Sequence, residues 1–302
     1  MYFYYRFMLS ILIPTYNYDL SDLLTELKSQ LGSVETTVEV LICDDCSSRL
    51  DLHEVNLEKA LSSGFQYYRN KENLGRTATR AKLAQEAQYD WLLFLDADVL
   101  PAQKDFISLY LERINELYDV IFGGIKYSEE RPSQEQLLRW TYGRKREVQS
   151  ISKRNEQPHF IISQNLCITK EMFLKCNTIT ANGYGLDNLF SANLLKEKAE
   201  VLHIDNPVIH LGLETSDQFL KKSLEGIETT VILEERGEIA TQLRPIQRVY
   251  LKLKRYGLIG FFQVFANGLE GSIKKNLHSR KPNLLLFDIY RLNYLIGLKK
   301  KN

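Results

Sequence analysis

The stretch Trp91–Asp98 reads W-L-L-F-L-D-A-D. Its first five residues form an apolar run with no alternation, the pattern of a strand covered on both faces, as in a parallel sheet. The run ends in two carboxylates, Asp96 and Asp98, separated by the small Ala97. In an open α/β sheet, ligands bind at the carboxyl ends of the strands. Two aspartates delivered there suit a hard cation that holds a phosphate-bearing ligand. Taken alone, D-x-D also fits a solvated turn, where Asp is common.

The rest of the chain supplies the sheet that such a strand needs. Leu9–Pro14 and Val38–Cys43 are further apolar strands, and Phe65–Tyr68 and Val120–Phe122 are shorter ones. Between them run helical patterns. Leu20, Leu23, Leu24, Leu27 and Leu31 recur at helical spacing up to Gly32, and Leu52–Leu61, Thr77–Ala87 and Asp105–Leu117 follow. This alternation implies βαβ units and a mainly parallel sheet flanked by helices, an α/β fold. Beyond Gly124 a helix is expected around Gln134–Arg146, a mobile polar loop over Glu147–Pro158 and a strand within Phe160–Ile168. A glycine-hinged loop, Gly183–Asp187, leads into a helix over Asn188–Lys198. Short strands at Val201–Ile204 and Val208–Leu211 and a long polar helix over Asp217–Arg236 complete this part.

A length of 302 residues allows two domains, or one with an appendage. We expect a main domain over 1–243, in halves of about 1–124 and 125–243, and a separate region over 244–302. Charge marks that last boundary. From Arg244 onward there are thirteen Lys and Arg against two acids, a balance of +11, in a chain whose total is +1, so the rest carries −10. Ile246, Val249, Tyr250 and Leu253 face one way, and Arg248, Lys252 and Arg255 the other. This is a basic amphipathic helix, followed by the nearly wholly apolar Gly257–Leu269. The expected partner is an anionic membrane surface; the competing expectation is a helical cap packed on the main domain. No nucleic-acid partner is expected. No apolar run approaches the roughly 20 residues that span a bilayer, and no signal peptide is expected. The Cys43-x-x-Cys46 pair lacks the second tight pair of a zinc site, so reduced thiols and a cytoplasmic location, peripheral on the inner face of the membrane, are expected.

Five pieces of sequence then fall in a specific order: Pro14-Thr15-Tyr16-Asn17, Asp44-Asp45-Cys46-Ser47-Ser48, Asn73-Leu74-Gly75 ahead of Arg80, Asp96-Ala97-Asp98, and Asp187 with His210. Over residues 9–215 this order resembles the family 2 glycosyltransferases of GT-A fold. The resemblance implies that Thr15 and Tyr16 line the base and ribose of a nucleotide sugar. Asp45 would bond the base while Asp44 shapes the loop, Arg80 would reach towards the nucleotide, and Asp96 would touch the ribose. Gln164 and Asn165 would contact a sugar. It also implies a divalent cation, Mn²⁺ or Mg²⁺, on Asp98 and His210, which neutralises the leaving diphosphate. Asp187 would be the base that deprotonates an acceptor hydroxyl, although here the loop reads G-Y-G-L-D, with Leu186 where the family often has an acid. The implied reaction is inverting transfer from a nucleotide diphosphate sugar, UDP-linked by preference, to a glycan or lipid-linked glycan in polysaccharide biosynthesis. A nucleotidyltransferase would need a Gly-rich, Lys-bearing first loop, which Pro14–Asp19 is not. A binding protein without transfer activity would have no use for Asp187.

Overall fold

The computed structural model describes residues 8–34, 37–114, 117–178 and 183–301. The chain divides into two compact units. One comprises Met1–Ser128, Val148–Asn182 and Asn193–Gly212; the other comprises Glu129–Glu147, Gly183–Ala192 and Leu213–Asn302.

The first unit is built on β1 (Leu9–Thr15), α1 (Ser21–Leu31), β2 (Val38–Asp44), α2 (Leu50–Ser62), β3 (Gln66–Arg69), α3 (Arg76–Glu86) and β4 (Trp91–Leu95). Then come β5 (Val99–Pro101), α4 (Phe106–Leu111), β6 (Val120–Phe122) and β7 (Ile125–Tyr127). After the first insertion follow α5 (Leu137–Tyr142, in the second unit), α6 (Ile151–Asn155), β8 (Asn165–Thr169), α7 (Lys170–Cys176) and α8 (Asp187–Lys196). β9 (Val201–His203) and β10 (Val208–His210) close the unit. Seven strands pair in the order β3-β2-β1-β4-β8-β6-β9. β2 pairs parallel with β1 and β3, β1 with β4, and β6 with β9; β8 alone runs antiparallel, against β4 and β6. Every residue of β1 and β4 is buried, as their unbroken apolar runs require. Leu23, Leu24 and Leu27 of α1 seal one face, together with Phe106 and Tyr110 of α4. The connection order reverses between β1 and β4, so the carboxyl ends of those strands flank the crevice where α/β sheets take ligands. A second, three-stranded sheet has the order β5-β10-β7.

Glu147–Pro158 is not the loose loop expected from its polarity. It contains α6, and Arg154 from that helix is buried, donating to the carbonyls of Phe122 (2.9 Å) and Ile204 (2.9 Å). A guanidinium spent on backbone carbonyls pins the segment to the strands β6 and β9.

The second unit is helical: α5, the start of α8, α9 (Ser216–Glu235), α10 (Pro245–Arg255), α11 (Ile259–Gly268), α12 (Glu270–Leu277) and α13 (Leu284–Lys301). Thr215 and Gln218 cap α9 reciprocally, and Pro245 opens α10. Leu138, Phe219, Leu220, Ile273, Leu277 and Phe287 form one core cluster; Ile227, Val231, Tyr250, Leu292 and Ile296 form another. The expected boundary at 243/244 therefore does not coincide with the edge of a compact unit. The long helix α9 supplies the apolar face that α10, α12 and α13 cover, so 213–302 packs as one body.

Candidate active site

The carboxyl ends of β1, β2 and β4 carry most of the residues singled out from the sequence. At β2, Asp44 is fully buried and accepts from Ser47 N (2.7 Å), His53 Nδ1 (3.0 Å) and Tyr67 Oη (3.2 Å). Its role is to shape the loop, with no oxygen facing outward. Asp45 accepts from Asn70 Nδ2 (2.7 Å) and from the backbone N–H groups of Leu74 (2.9 Å) and Gly75 (2.7 Å). One carboxylate thereby fastens the Asn73-Leu74-Gly75 turn, which starts the helix bearing Arg80. At β1, the Thr15 carbonyl receives Asp45 N (2.8 Å), and the Asn17 side chain bridges to Ser48 and Arg49. Thr15 is buried, whereas Tyr16 is exposed.

At β4, Asp96 is gripped from two sides. Arg80 Nη2 lies 2.6 Å from Oδ1, and Arg76 Nη2 lies 2.8 Å from Oδ2. Arg80 also donates to the Ser163 carbonyl (2.6 Å) and lies over the Phe94 ring, and Asp96 N donates to the Gln164 carbonyl (3.2 Å). Burial by itself would push the Asp96 carboxyl up, but the Arg76 and Arg80 guanidiniums outweigh it and hold the group below the usual carboxylate range. A carboxyl depressed on folding adds stability above its unfolded pKa and loses it as the pH falls through the folded one. Arg76→Gln should raise the folded value, so the acid-side decline of the melting temperature begins at higher pH. A melting-temperature profile that superposes on that of the parent would refute this. Arg76 was not singled out from the sequence: an arginine opening a helix reads as a solvated residue.

Asp98 and His210, 112 residues apart, meet at 3.1 Å between Oδ2 and Nε2. The second sheet brings them together. β10 runs antiparallel to β5 with His210 opposite Val99, and Leu211 N donates to the Asp98 carbonyl at 2.8 Å. Tyr127 of β7 meets the His210 ring edge-on. Gly212 completes the cradle. A Cβ there would lie 1.9 Å from Asp98 Oδ2, so any larger residue would expel the carboxylate. Asp98 Oδ2 and His210 Nε2 fit a divalent cation. Two donors on adjacent octahedral positions of Mg²⁺ or Mn²⁺ stand roughly 3 Å apart, and an oxygen and an imidazole nitrogen suit Mn²⁺ well. Among the described residues no group of three or more His, Cys, Asp or Glu converges that could hold a metal ion. Two side chains, with phosphate oxygens and water completing the shell, are the usual arrangement for a nucleotide-bound cation. Three buried polar atoms around this end of the sheet lack a hydrogen-bond partner among the described residues: Thr15 Oγ1, Gln164 Oε1 and His210 Nδ1. Such orphans are rare in a finished core and usual where a ligand enters.

Asn165 departs from the expected sugar contact. It is fully buried, accepts from Tyr110 Oη (2.7 Å) and donates to the carbonyls of Gly124 and Asn206 (both 2.9 Å). With both amide hydrogens and the oxygen engaged, it is a strut tying β8 to the ends of β6 and β9. Asn165→Ala should cost about 3 kcal/mol by stranding those partners; an unchanged urea midpoint would contradict this. The cysteines make no pair. Cys43 Sγ points to Asn70 and Cys46 Sγ to the Lys71 carbonyl, and burial pushes the Cys43 thiol up to about 11.

Asp187 belongs to the helical unit, as the first residue of α8. The loop before it rests on α9. Gly185 has φ +94°, and a Cβ there would stand 3.1 Å from Gly226 Cα, so only glycine allows this approach. Burial pulls the Arg244 guanidinium below its usual range, against which Tyr142 and Asp187 act, so Asp187 has a cation within electrostatic reach. Tyr184 is partly exposed, and Trp140 carries Arg144 on its ring face.

The Rossmann-like sheet, with the Arg-clamped Asp96 and the His-paired Asp98 at its switch point, is similar in fold to GT-A glycosyltransferases. Solved structures agree on the fold. Glucosyl-3-phosphoglycerate synthase from Mycobacterium tuberculosis, in complex with Mn²⁺, UDP and glucosyl-3-phosphoglycerate, superposes with a TM-score of 0.52 at 15% identity over 77% of this chain and 81% of that one. TarS 1-349 from S. aureus, in complex with UDP-GlcNAc, gives 0.52 at 18% identity over 97% and 91%. The mannosyltransferase PcManGT from Pyrobaculum calidifontis, in complex with GDP-Man and Mn²⁺, gives 0.56 at 13% identity over 99% and 88%. By sequence, an uncharacterized glycosyltransferase from Haemophilus influenzae is 39% identical over 93 residues, which span 30% of this chain and 29% of that relative. The model of glycosyl transferase family 2 matches residues 10–176, and the chain belongs to that family.

Proposed function

We propose that the enzyme moves one sugar, with inversion, from a nucleotide diphosphate sugar to a hydroxyl of a glycan or lipid-linked glycan. The observation that carries this reading is the Asp98–His210 pair, held by Gly212 beside the Arg-clamped Asp96. UDP is the preferred leaving group. Thr15, Tyr16 and Asp45 stand at the strand ends that would take the base and ribose, and the Thr15 hydroxyl has no hydrogen-bond partner among the described residues. Asp45 keeps acceptor capacity on Oδ2 beyond the Gly75 bond. Asp96 would meet the ribose, and Arg80 holds it in place for that contact. Gln164, with its buried orphan oxygen, would meet the donor sugar. Asp98 and His210 would hold Mn²⁺ or Mg²⁺, which when bound neutralises charge on the departing diphosphate. Asp187 would take the proton of the attacking hydroxyl. The basic region 244–302 would keep the enzyme at the anionic inner face of a membrane, beside a lipid-carried acceptor.

Thermal unfolding against a panel of nucleotide sugars, each with and without Mn²⁺, tests the reading. One donor should raise the melting temperature in a Mn²⁺-dependent way, because a ligand that binds only the folded state stabilises it by mass action. No shift with any nucleotide sugar would overturn it.

A further inference from the structure

The helix α11 is apolar on both of its faces. Ile259 and Phe262 pack on the cluster formed by α9, α10 and α13, and Ala266 is buried. On the opposite side Phe261 is 76% exposed, Val264 77% and Phe265 50%. These three recur at i, i+3 and i+4, and Leu258, just ahead of the helix, is exposed as well. No charged residue occurs between Tyr256 and Leu269. Apart from Gln263 and Asn267 on one flank, α11 is apolar around its circumference, and such a helix is stable when something other than water covers it. A contiguous, outward-facing aromatic ridge marks an interaction surface.

The charges that flank the ridge in sequence say what covers it. Lys252, Lys254 and Arg255 are exposed at the end of α10, and Lys275, Arg280 and Lys281 are exposed after α11. Of the nearby cations, Lys274 is paired to Glu270 at 2.7 Å. With a balance of +11 over 244–302, a second copy of the chain meeting it through the same face would bring like charge against like. An anionic lipid surface satisfies both features at once: acyl chains take the ridge and headgroups take the cations. Among the described residues no helix is long and apolar enough to cross a membrane. Ten residues make a helix of about 15 Å, long enough to lie along the interface and too short to span it.

We propose that α11 is an interfacial helix that lies in the plane of an anionic bilayer, with Phe261, Val264 and Phe265 in the acyl boundary and Lys252, Lys254 and Arg255 on the headgroups. This deepens the membrane part of the proposed function and rests on it for its purpose, namely access to a lipid-carried acceptor. The surface itself is a property of the helical unit.

The test is co-sedimentation of the full chain with vesicles of phosphatidylcholine, alone or mixed with phosphatidylglycerol. Binding should rise at least roughly tenfold with the anionic lipid and fall with salt. Phe261→Ser/Phe265→Ser should abolish it, and so should Lys252→Glu/Arg255→Glu, with only small losses of melting temperature, because the side chains are largely exposed and the introduced acids lie in the last turn of α10. A Val264→Trp variant should have its emission quenched by brominated acyl chains. The proposal is overturned if the serine variant sediments like the parent. It is equally overturned if the parent ignores phosphatidylglycerol, or if the serine substitutions turn a dimer into a monomer, which would make a second copy the cover. Stabilisation of the serine variant by UDP with Mn²⁺, measured without vesicles, reports on the transfer reading separately. Its absence alongside intact vesicle binding by the parent would sink transfer and leave the membrane surface standing.

Discussion

Asp98→Ala is expected to abolish the Mn²⁺-dependent stabilisation by the nucleotide and to lower transfer by roughly a thousandfold or more, the scale on which a preorganised charge stabiliser acts. The carboxylate would contribute one of the two donors found at that point among the described residues, and its partner, His210 Nε2, is 3.1 Å away. Removing one donor leaves a lone imidazole, which competes poorly with water for Mn²⁺. The geometry offers a second route to the same loss. Gly212→Ala adds one methyl group 1.9 Å from Asp98 Oδ2 without touching either donor chemically. It should cost most of what Asp98→Ala costs. The pair of variants separates a binding site from a mere turn. If Asp98 only caps a loop, both proteins would retain a Mn²⁺-dependent shift with UDP, and that result would refute the assignment.

Asp187→Asn is expected to lower kcat by roughly 10³-fold while leaving donor affinity within a few-fold of the parent, the usual loss when a general base is removed. The substitution keeps size and helix-start chemistry, since Asn serves there nearly as well as Asp. It removes only the ability to accept a proton. No other acid stands in the Gly183–Asp187 loop, where Leu186 precedes the aspartate, so the loop itself holds no substitute carboxylate. Single-turnover transfer with donor binding measured in parallel is the decisive experiment. Parent-like turnover would move the base elsewhere. A parallel collapse of donor binding and melting temperature would instead show that Asp187 is structural.

Much of the first unit was legible as sequence because its strands are covered on both faces. β1 and β4 must be continuous apolar runs, and such runs stand out. β10 falls within the strand expected at Val208–Leu211, but the same physics makes the three-residue strands β5 and β7 invisible. They are too short to show any period, yet β5 and β10 bring Asp98 and His210 together. The strand sought within Phe160–Ile168 is real only from Asn165, and its antiparallel direction has no signature in composition. Arginines misled in a consistent way. Arg76 and Arg154 look solvated in a polar segment, but one clamps Asp96 and the other is consumed by buried carbonyls. Asn165 shows the same limit from the polar side, since an amide beside a strand end can serve a ligand or the core.

The sequence by itself determined the class of fold, the candidate strand ends and the family, because apolar periodicity and the order of short motifs are properties of the chain read along its length. Only the tertiary structure decided which side chains share a carboxylate, an imidazole or a guanidinium. It also decided that 213–302 packs around α9, with no break at the charge boundary. Those outcomes depend on long-range approach between segments, such as Gly212 against Asp98. Close packing sets such approaches to within a few tenths of an ångström, and no local pattern encodes them.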